Sequence, residues 1–348
     1  MKRLLFIATF AFVCLFQGIW WAHMGMYDDQ IWGDEAMYVE TANPHEFDAN
    51  KGYGHPGGPV IIGTSLAHSA THLTYKDSMY VWLTLLDAVL ISLVAVLCFM
   101  LRRNLLWCAV VVAFLTVHPI YLATTPPSVV ASLFAVLLAL WTLYIYEGND
   151  MRRAALAGWA VLAGLLVATR WDIGLLASGI FGLLLLPRLG ITRAAGIAAA
   201  AFLVFAASDP FMWFIPVQHL SDLFFKIWYH YDVIAVGHLP PGDIIGVSLL
   251  FPFSIILALA SLRKPASPLP PLFIAALLAI AGIIYSLVLT AHYQALRYLQ
   301  PAIILWEVFL PMLFFWHIRN EGLPKWLIPI MAAALICYPL SHFLIYVW

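Results

Sequence analysis

The chain has 348 residues, of which 64% are hydrophobic and 10% charged, whereas a soluble domain is about 45–50% apolar and about 25% charged. With a mean hydropathy of +0.92, this composition excludes a soluble enzyme and a disordered chain. Lys and Arg total 17 against 18 Asp and Glu, so no basic excess is available to hold a nucleic acid.

The hydrophobic runs predict an all-α polytopic membrane protein, a single transmembrane domain over residues 1–348. Met1-Lys2-Arg3 leads into an apolar run to Trp21 with no small-x-small cleavage site after it, which predicts an uncleaved first span. Further runs near 79–101, 104–121, 128–146, 154–170, 173–187, 194–208, 244–262, 271–290, 301–317 and 326–347 bring the expectation to about eleven transmembrane helices. Two segments are long: a first loop over about 23–78 and a second over about 208–243. No soluble C-terminal domain and no internal repeat are expected.

The basic residues predict the orientation. With the N-terminus cytoplasmic, the inner ends carry Lys2, Arg3, Arg102, Arg103, Arg152, Arg153, Arg188, Arg193, Arg263, Lys264, Arg319 and Lys325, which is 12 of 17. An odd span count then puts the C-terminus outside. Eleven of the 12 histidines and most carboxylates fall on the outer side, so the chemistry is expected there. The four cysteines sit in apolar runs without CxxC spacing and read as packing residues. The sequence has no N-x-S/T sequon, which fits a bacterial inner membrane.

In the first loop, Asp28, Asp29, Asp34 and Glu35 lie within eight residues. Asp34 is placed to N-cap a helix over Glu35–Ala42, whose Met37, Tyr38 and Thr41 share one face that could lie flat on the bilayer. On spacing alone, a pure capping role for Asp34 stays open. Lys51-Gly52-Tyr53-Gly54-His55-Pro56-Gly57-Gly58-Pro59 predicts a tight turn, followed by a second interfacial helix over Val60–His72. Two acids fall inside spans: Asp87, about 12 Å deep, and Glu307. Buried acids in membrane helices are costly, and either serve function or pair between helices. The second loop is dense in aromatics, from Asp209-Pro210-Phe211-Met212-Trp213-Phe214 to Lys226-Ile227-Trp228-Tyr229-His230-Tyr231. Such a cluster suits an interfacial belt, a prenyl groove or a sugar platform.

Asp34-Glu35-Ala36-Met37-Tyr38 followed by His55-Pro56 resembles the first loop of the GT-C membrane glycosyltransferases. The nearest branch is the glycosyltransferase family 39-like one, which includes protein O-mannosyltransferases and aminoarabinose transferases. His292-Tyr293-Gln294-Ala295-Leu296-Arg297-Tyr298-Leu299-Gln300-Pro301-Ala302 resembles that family's Arg-Tyr-Leu-x-Pro-Ala at a late span. Family members usually read His-Pro-Pro, so Gly57 is a departure. The soluble C-terminal domain of many members is not expected in this chain.

The resemblance implies transfer of a sugar from a polyprenyl-phosphate donor to an acceptor hydroxyl on the outer (periplasmic) face. Asp34 is then the candidate base and Glu35 its neighbour. Arg297, Lys51 and Arg170 are the candidate donor-phosphate ligands, since guanidinium suits phosphate; Arg170 pairing with Asp172 is the alternative. His55, Tyr38, Tyr298, His292 and Asp29 are expected to line the substrate pocket. No cofactor is required, although Asp34, Glu35 and His55 form a possible divalent-cation set. The acceptor is expected to be a lipid or glycan rather than a protein. The alternatives are a lipid-linked-sugar or small-solute transporter or flippase, and a non-catalytic family member.

Overall fold

The computed structural model describes residues 1–24, 34–47, 57–121, 126–149, 151–223, 296–320 and 323–347, with isolated positions between 253 and 276. Side chains are described for these except at 21–24, 34–35, 118–121, 126–128, 296–303 and 341–347. Among the described residues the chain is α-helical, with no strand.

The helices are α1 (Lys2–Met24), α2 (Asp34–Ala42), α3 (Gly58–Thr71), α4 (Tyr75–Arg102), α5 (Leu105–Tyr121), α6 (Pro126–Gly148) and α7 (Arg153–Thr169). After them come α8 (Trp171–Leu189), α9 (Ile191–Ser208), α10 (Pro210–Phe214), α11 (Leu296–Arg319) and α12 (Leu327–Val347). A short helical run also covers 216–223. Among the described residues, five helical stretches are long and apolar enough to cross a membrane: Lys2–Trp20, Tyr75–Arg102, Val129–Gly148, Trp171–Leu189 and Ile191–Ser208. Leu105–Val117, Arg153–Thr169 and Leu327–Leu340 are shorter apolar helices. The chain is thus an integral membrane protein by the length and composition of its helices. The expected spans at 244–262 and 271–290 lie almost entirely outside the described residues.

Local chemistry explains where the helices begin and end. Thr74 caps α4: its hydroxyl accepts the Asp77 N–H at 3.1 Å and donates to Asp77 Oδ2 at 2.7 Å, a reciprocal N-terminal box. His72 and Arg103 close α3 and α4 in the left-handed region, each returning its N–H to a carbonyl four residues back. Gly190, at φ +71°, makes the sharp turn from α8 to α9.

α4 and α6 form the centre of the bundle. α4 packs on α1, α3, α5 and α6, and α6 packs on α7, α8 and α11. A lipid environment offers little hydrophobic drive between helices, so close contact and polar bonds carry the packing. α7 and α9 meet at Gly164, where an added Cβ would stand 2.5 Å from the Ala201 carbonyl oxygen and 2.6 Å from Val204 Cβ. Trp107 Nε1 donates to the Val308 carbonyl at 3.1 Å, and Trp159 Nε1 to the Thr142 hydroxyl at 2.8 Å. Both indole bonds tie buried polar edges across helices.

The helix ends sort into two groups. At one end Arg102 makes a bidentate pair with Glu147, at 2.8 and 2.6 Å. Arg188 lies 3.8 Å over the Tyr146 ring and donates to the Tyr146 carbonyl. The opposite end, called here the α3 end, holds the start of α4, the end of α9 and the first-loop helices.

Candidate functional site

The α3 end is built around α3, which packs on α2, α4, α7, α9 and α10. Trp82 of α4 lies against Gly63 and donates its Nε1 proton to the Pro59 carbonyl at 2.9 Å. This contact holds the start of α3 about two turns below the start of α4. His68 stacks on Tyr75 at 3.9 Å and bonds the Leu73 carbonyl, closing the α3–α4 turn.

α2 is fastened to α3. The Ser65 hydroxyl donates to the Ala42 carbonyl at 2.6 Å, satisfying one of the orphan acceptors at the α2 C-terminus. α2 is described from Asp34 to Ala42. The face with Tyr38 and Thr41 does not lie on the bilayer: both residues are buried, Tyr38 at 3% exposure, against α3 and α4. The expected interfacial helix is therefore packed into the protein, because its aromatic face finds a partner in the turn before α3.

That partner is Gly57. Its Cβ position is occupied by the Tyr38 ring, with Cδ1 at 2.8 Å and Cζ at 3.2 Å. Gly57 also has φ −169°, far from the value near −65° that proline imposes. The Gly57 departure from His-Pro-Pro thus has a physical reason in this chain. Tyr38 and Gly57, one residue from each of the two first-loop motifs, are thus in contact.

The second long segment joins the same end. An added Cβ on Gly58 would overlap the Ser208 carbonyl and stand 3.0 Å from Asp209 Cα, so the backbones of α3 and the α9 terminus touch. Phe47 stacks on Phe211 at 5.9 Å and packs against Phe214 at 5.2 Å. Residues 210–214 and 216–223 of this segment are helical.

Within it lies a constellation that the sequence reading did not single out. Asp209 is fully buried and His219 is 1% exposed. Asp209 Oδ1 accepts the Phe211 N–H at 3.1 Å, and Oδ2 meets His219 Nε2 at 2.9 Å. The His219 ring stacks on Phe211 at 5.2 Å. Asp followed by Pro after an apolar run is a helix-start signal that could have marked Asp209 as a cap. Nothing in the spacing points to His219.

The other expected site residues are distributed as follows. Asp29, Lys51, His55 and His292 lie outside the described residues. Asp34 and Glu35 open α2, and Arg297 and Tyr298 open α11, but their side chains are outside the described set. Arg170, between α7 and α8, is held by Asp172, with Nε 3.0 Å from Oδ1 and Nη2 2.9 Å from Oδ2. Among the described residues no group of three or more His, Cys, Asp or Glu stands close enough to hold a metal ion. All four cysteines are free, with Cys98 and Cys108 buried.

Both intramembrane acids are buried, Asp87 at 4% and Glu307 at 1% exposure. Because α4 begins at Tyr75, Asp87 lies about 18 Å along it, deeper than the sequence expectation. Asp87 Oδ1 and both amide atoms of Gln17, on the neighbouring α1, are buried and make no hydrogen bond among the described residues.

No protein-family model matches the chain, and no curated protein matches it in sequence.

Proposed function

We propose that the chain is a GT-C-type membrane glycosyltransferase that moves a sugar from a polyprenyl-phosphate carrier to an acceptor hydroxyl at the α3 end. The observation that carries this reading is the packing of Tyr38 on Gly57. It supports the reading because one residue of each motif that resembles the family is in that contact, with Ser208 and Phe211 of the second long segment beside it.

In this reading Asp34 takes the acceptor proton as the hydroxyl oxygen attacks the anomeric carbon. The bond from that carbon to the phosphate oxygen breaks, and the polyprenyl phosphate leaves. One base opposite one leaving group inverts the anomeric centre, as in inverting hydrolysis. Arg297 and Lys51 hold the departing phosphate through charge-assisted bonds. Arg170 has a lesser part, because Asp172 already meets its charge. Glu35, His55, Tyr298, His292 and Asp29 border the reacting groups, and Tyr38 supports them from below. A divalent cation held by Asp34, Glu35 and His55 is the variant mechanism. The acceptor is a lipid or glycan. The membrane is a bacterial inner membrane with the N-terminus cytoplasmic and the α3 end periplasmic.

The test is transfer in detergent from a panel of radiolabelled polyprenyl-phosphate sugars, with and without EDTA. Transfer that survives EDTA and falls by about 10²–10⁴ in Asp34→Asn is the expected result, the usual worth of general-base assistance. Full transfer by both Asp34→Asn and Arg297→Ala overturns the assigned roles. Loss in EDTA, restored by metal, moves the carboxylates to a metal site. One observation favours a second reading, a transporter or flippase: the buried Asp87 carboxyl deep in α4. Solute flux in proteoliposomes without covalent product would select it. Saturable donor binding without turnover would select a non-catalytic family member.

A further inference from the structure

We propose that Asp209 and His219 are a positioning pair for this site. They fix the backbone on which Gly57 and Gly58 are seated, and through the Tyr38 ring the helix α2 that begins the first-loop motif. The inference rests on the reading of Asp34 as the reaction-side base.

The argument follows the contacts in order. A fully buried carboxylate is tolerated only when hydrogen bonds occupy its oxygens. Asp209 meets that condition with the Phe211 N–H on one oxygen and the imidazole on the other. These two bonds leave residues 208–211 one placement. Gly58 is seated directly on that placement, its Cα facing the Ser208 carbonyl and Asp209 Cα. Gly57 in turn carries the Tyr38 ring. Tyr38 is about one helical turn from Asp34 on α2.

A parallel route runs from the His219 ring to Phe211 and on to Phe47, five residues past the end of α2. Both routes end on the segment that bears Asp34. His219 is a positioning residue and not a catalytic one, because its ring is buried and its Nε2 is committed to Asp209.

The experiment is amide hydrogen exchange read by mass spectrometry on the full chain in nanodiscs, for wild type, His219→Leu and His219→Gln. Gln can present an amide N–H near the place of Nε2, and Leu cannot. In His219→Leu, exchange over 36–42 and 57–61 is expected to quicken about tenfold, equivalent to about 1.4 kcal/mol. Exchange in α4 and α6 should stay at the wild-type rate, and His219→Gln should return the first-loop peptides towards it.

The second readout is transfer from a polyprenyl-phosphate sugar. His219→Leu should lower kcat with little change in donor KM, the mark of lost geometry rather than lost binding. Unchanged exchange at 36–42 and 57–61 overturns the proposal. So does exchange that quickens equally through α4 and α6, since that describes a general stabiliser. A wild type that turns over no donor overturns the glycosyltransferase reading instead. The exchange data then decide the role of the pair by themselves.

Discussion

Gly58→Ala is the sharpest test of how the α3 end is assembled. A Cβ on Gly58 would overlap the Ser208 carbonyl oxygen and lie 2.7 Å from its carbon. Ordinary contact begins near 3.4 Å, so α3 and the α9 terminus must part by about 0.7 Å or more, a shift of the overpacking kind. Neither partner can yield by rotating a side chain, because both are backbone. Overpacking of this sort costs about 1–3 kcal/mol, and a backbone-on-backbone clash belongs at the upper end. Replacing glycine in a helix returns about 0.5–1 kcal/mol. The net expectation is a loss of about 2 kcal/mol. Unfolding in mixed micelles, followed by tryptophan fluorescence, measures it. Gly179→Ala in α8 and Gly196→Ala in α9 are the controls, since an added Cβ meets nothing within 4 Å at either position. They should be neutral or stabilising by up to about 1 kcal/mol. If Gly58→Ala unfolds like the controls, the two long segments are not in contact and the argument for the site fails.

Three other outcomes are expected. Gly57→Pro, which would give the His-Pro-Pro of the glycosyltransferases that the first loop resembles, should destabilise by about 3 kcal/mol, from both the Tyr38 ring and the forbidden φ. Thermal unfolding of Gly57→Pro, alone and with Tyr38→Ala, separates these causes, since only the steric part is relieved in the double variant. Arg102→Ala should cost about 1–3 kcal/mol, because the bidentate pair with Glu147 is mostly shielded from solvent. A double-mutant cycle with Glu147→Gln that showed no coupling would contradict this. Gln17→Leu removes two buried polar atoms that make no hydrogen bond among the described residues. It should leave stability unchanged or raise it by up to about 2 kcal/mol. Destabilisation with loss of activity would instead make Gln17 a working part of the protein.

Helix identity was legible in the sequence because apolar runs bounded by charge or glycine leave few other structures. Leu105–Tyr121, Arg153–Thr169 and Leu327–Val347 fall within one or two residues of the runs that predicted them. The start of α4 at Tyr75 was missed by four residues, because the signal there is a Thr74–Asp77 cap and not hydropathy. The burial of Tyr38 was not legible either. A short helix with an aromatic face suits a membrane surface as well as a protein groove, and Gly57, nineteen positions away, decides between them.

The Asp209–His219 pair marks the same limit from the other side. Aspartate before Pro210 announces a helix start in sequence, and its Oδ1 does cap Phe211. A cap uses one oxygen, and burial obliges the second to find a donor. The donor is ten residues on, a separation with no periodicity of its own, reached because α10 turns the chain back at Ile215. A capping aspartate at a solvated helix end tolerates substitution at a cost of about 1 kcal/mol. Asp209 lies instead at a junction of two distant segments, with Gly58 seated on its backbone. Replacing its carboxylate by an amide weakens the bond to the buried His219 Nε2, a loss of about 1–3 kcal/mol beyond the cap. Asp209→Asn should therefore cost more than a cap is worth. A measured loss of only about 1 kcal/mol would reduce Asp209 to an ordinary helix start.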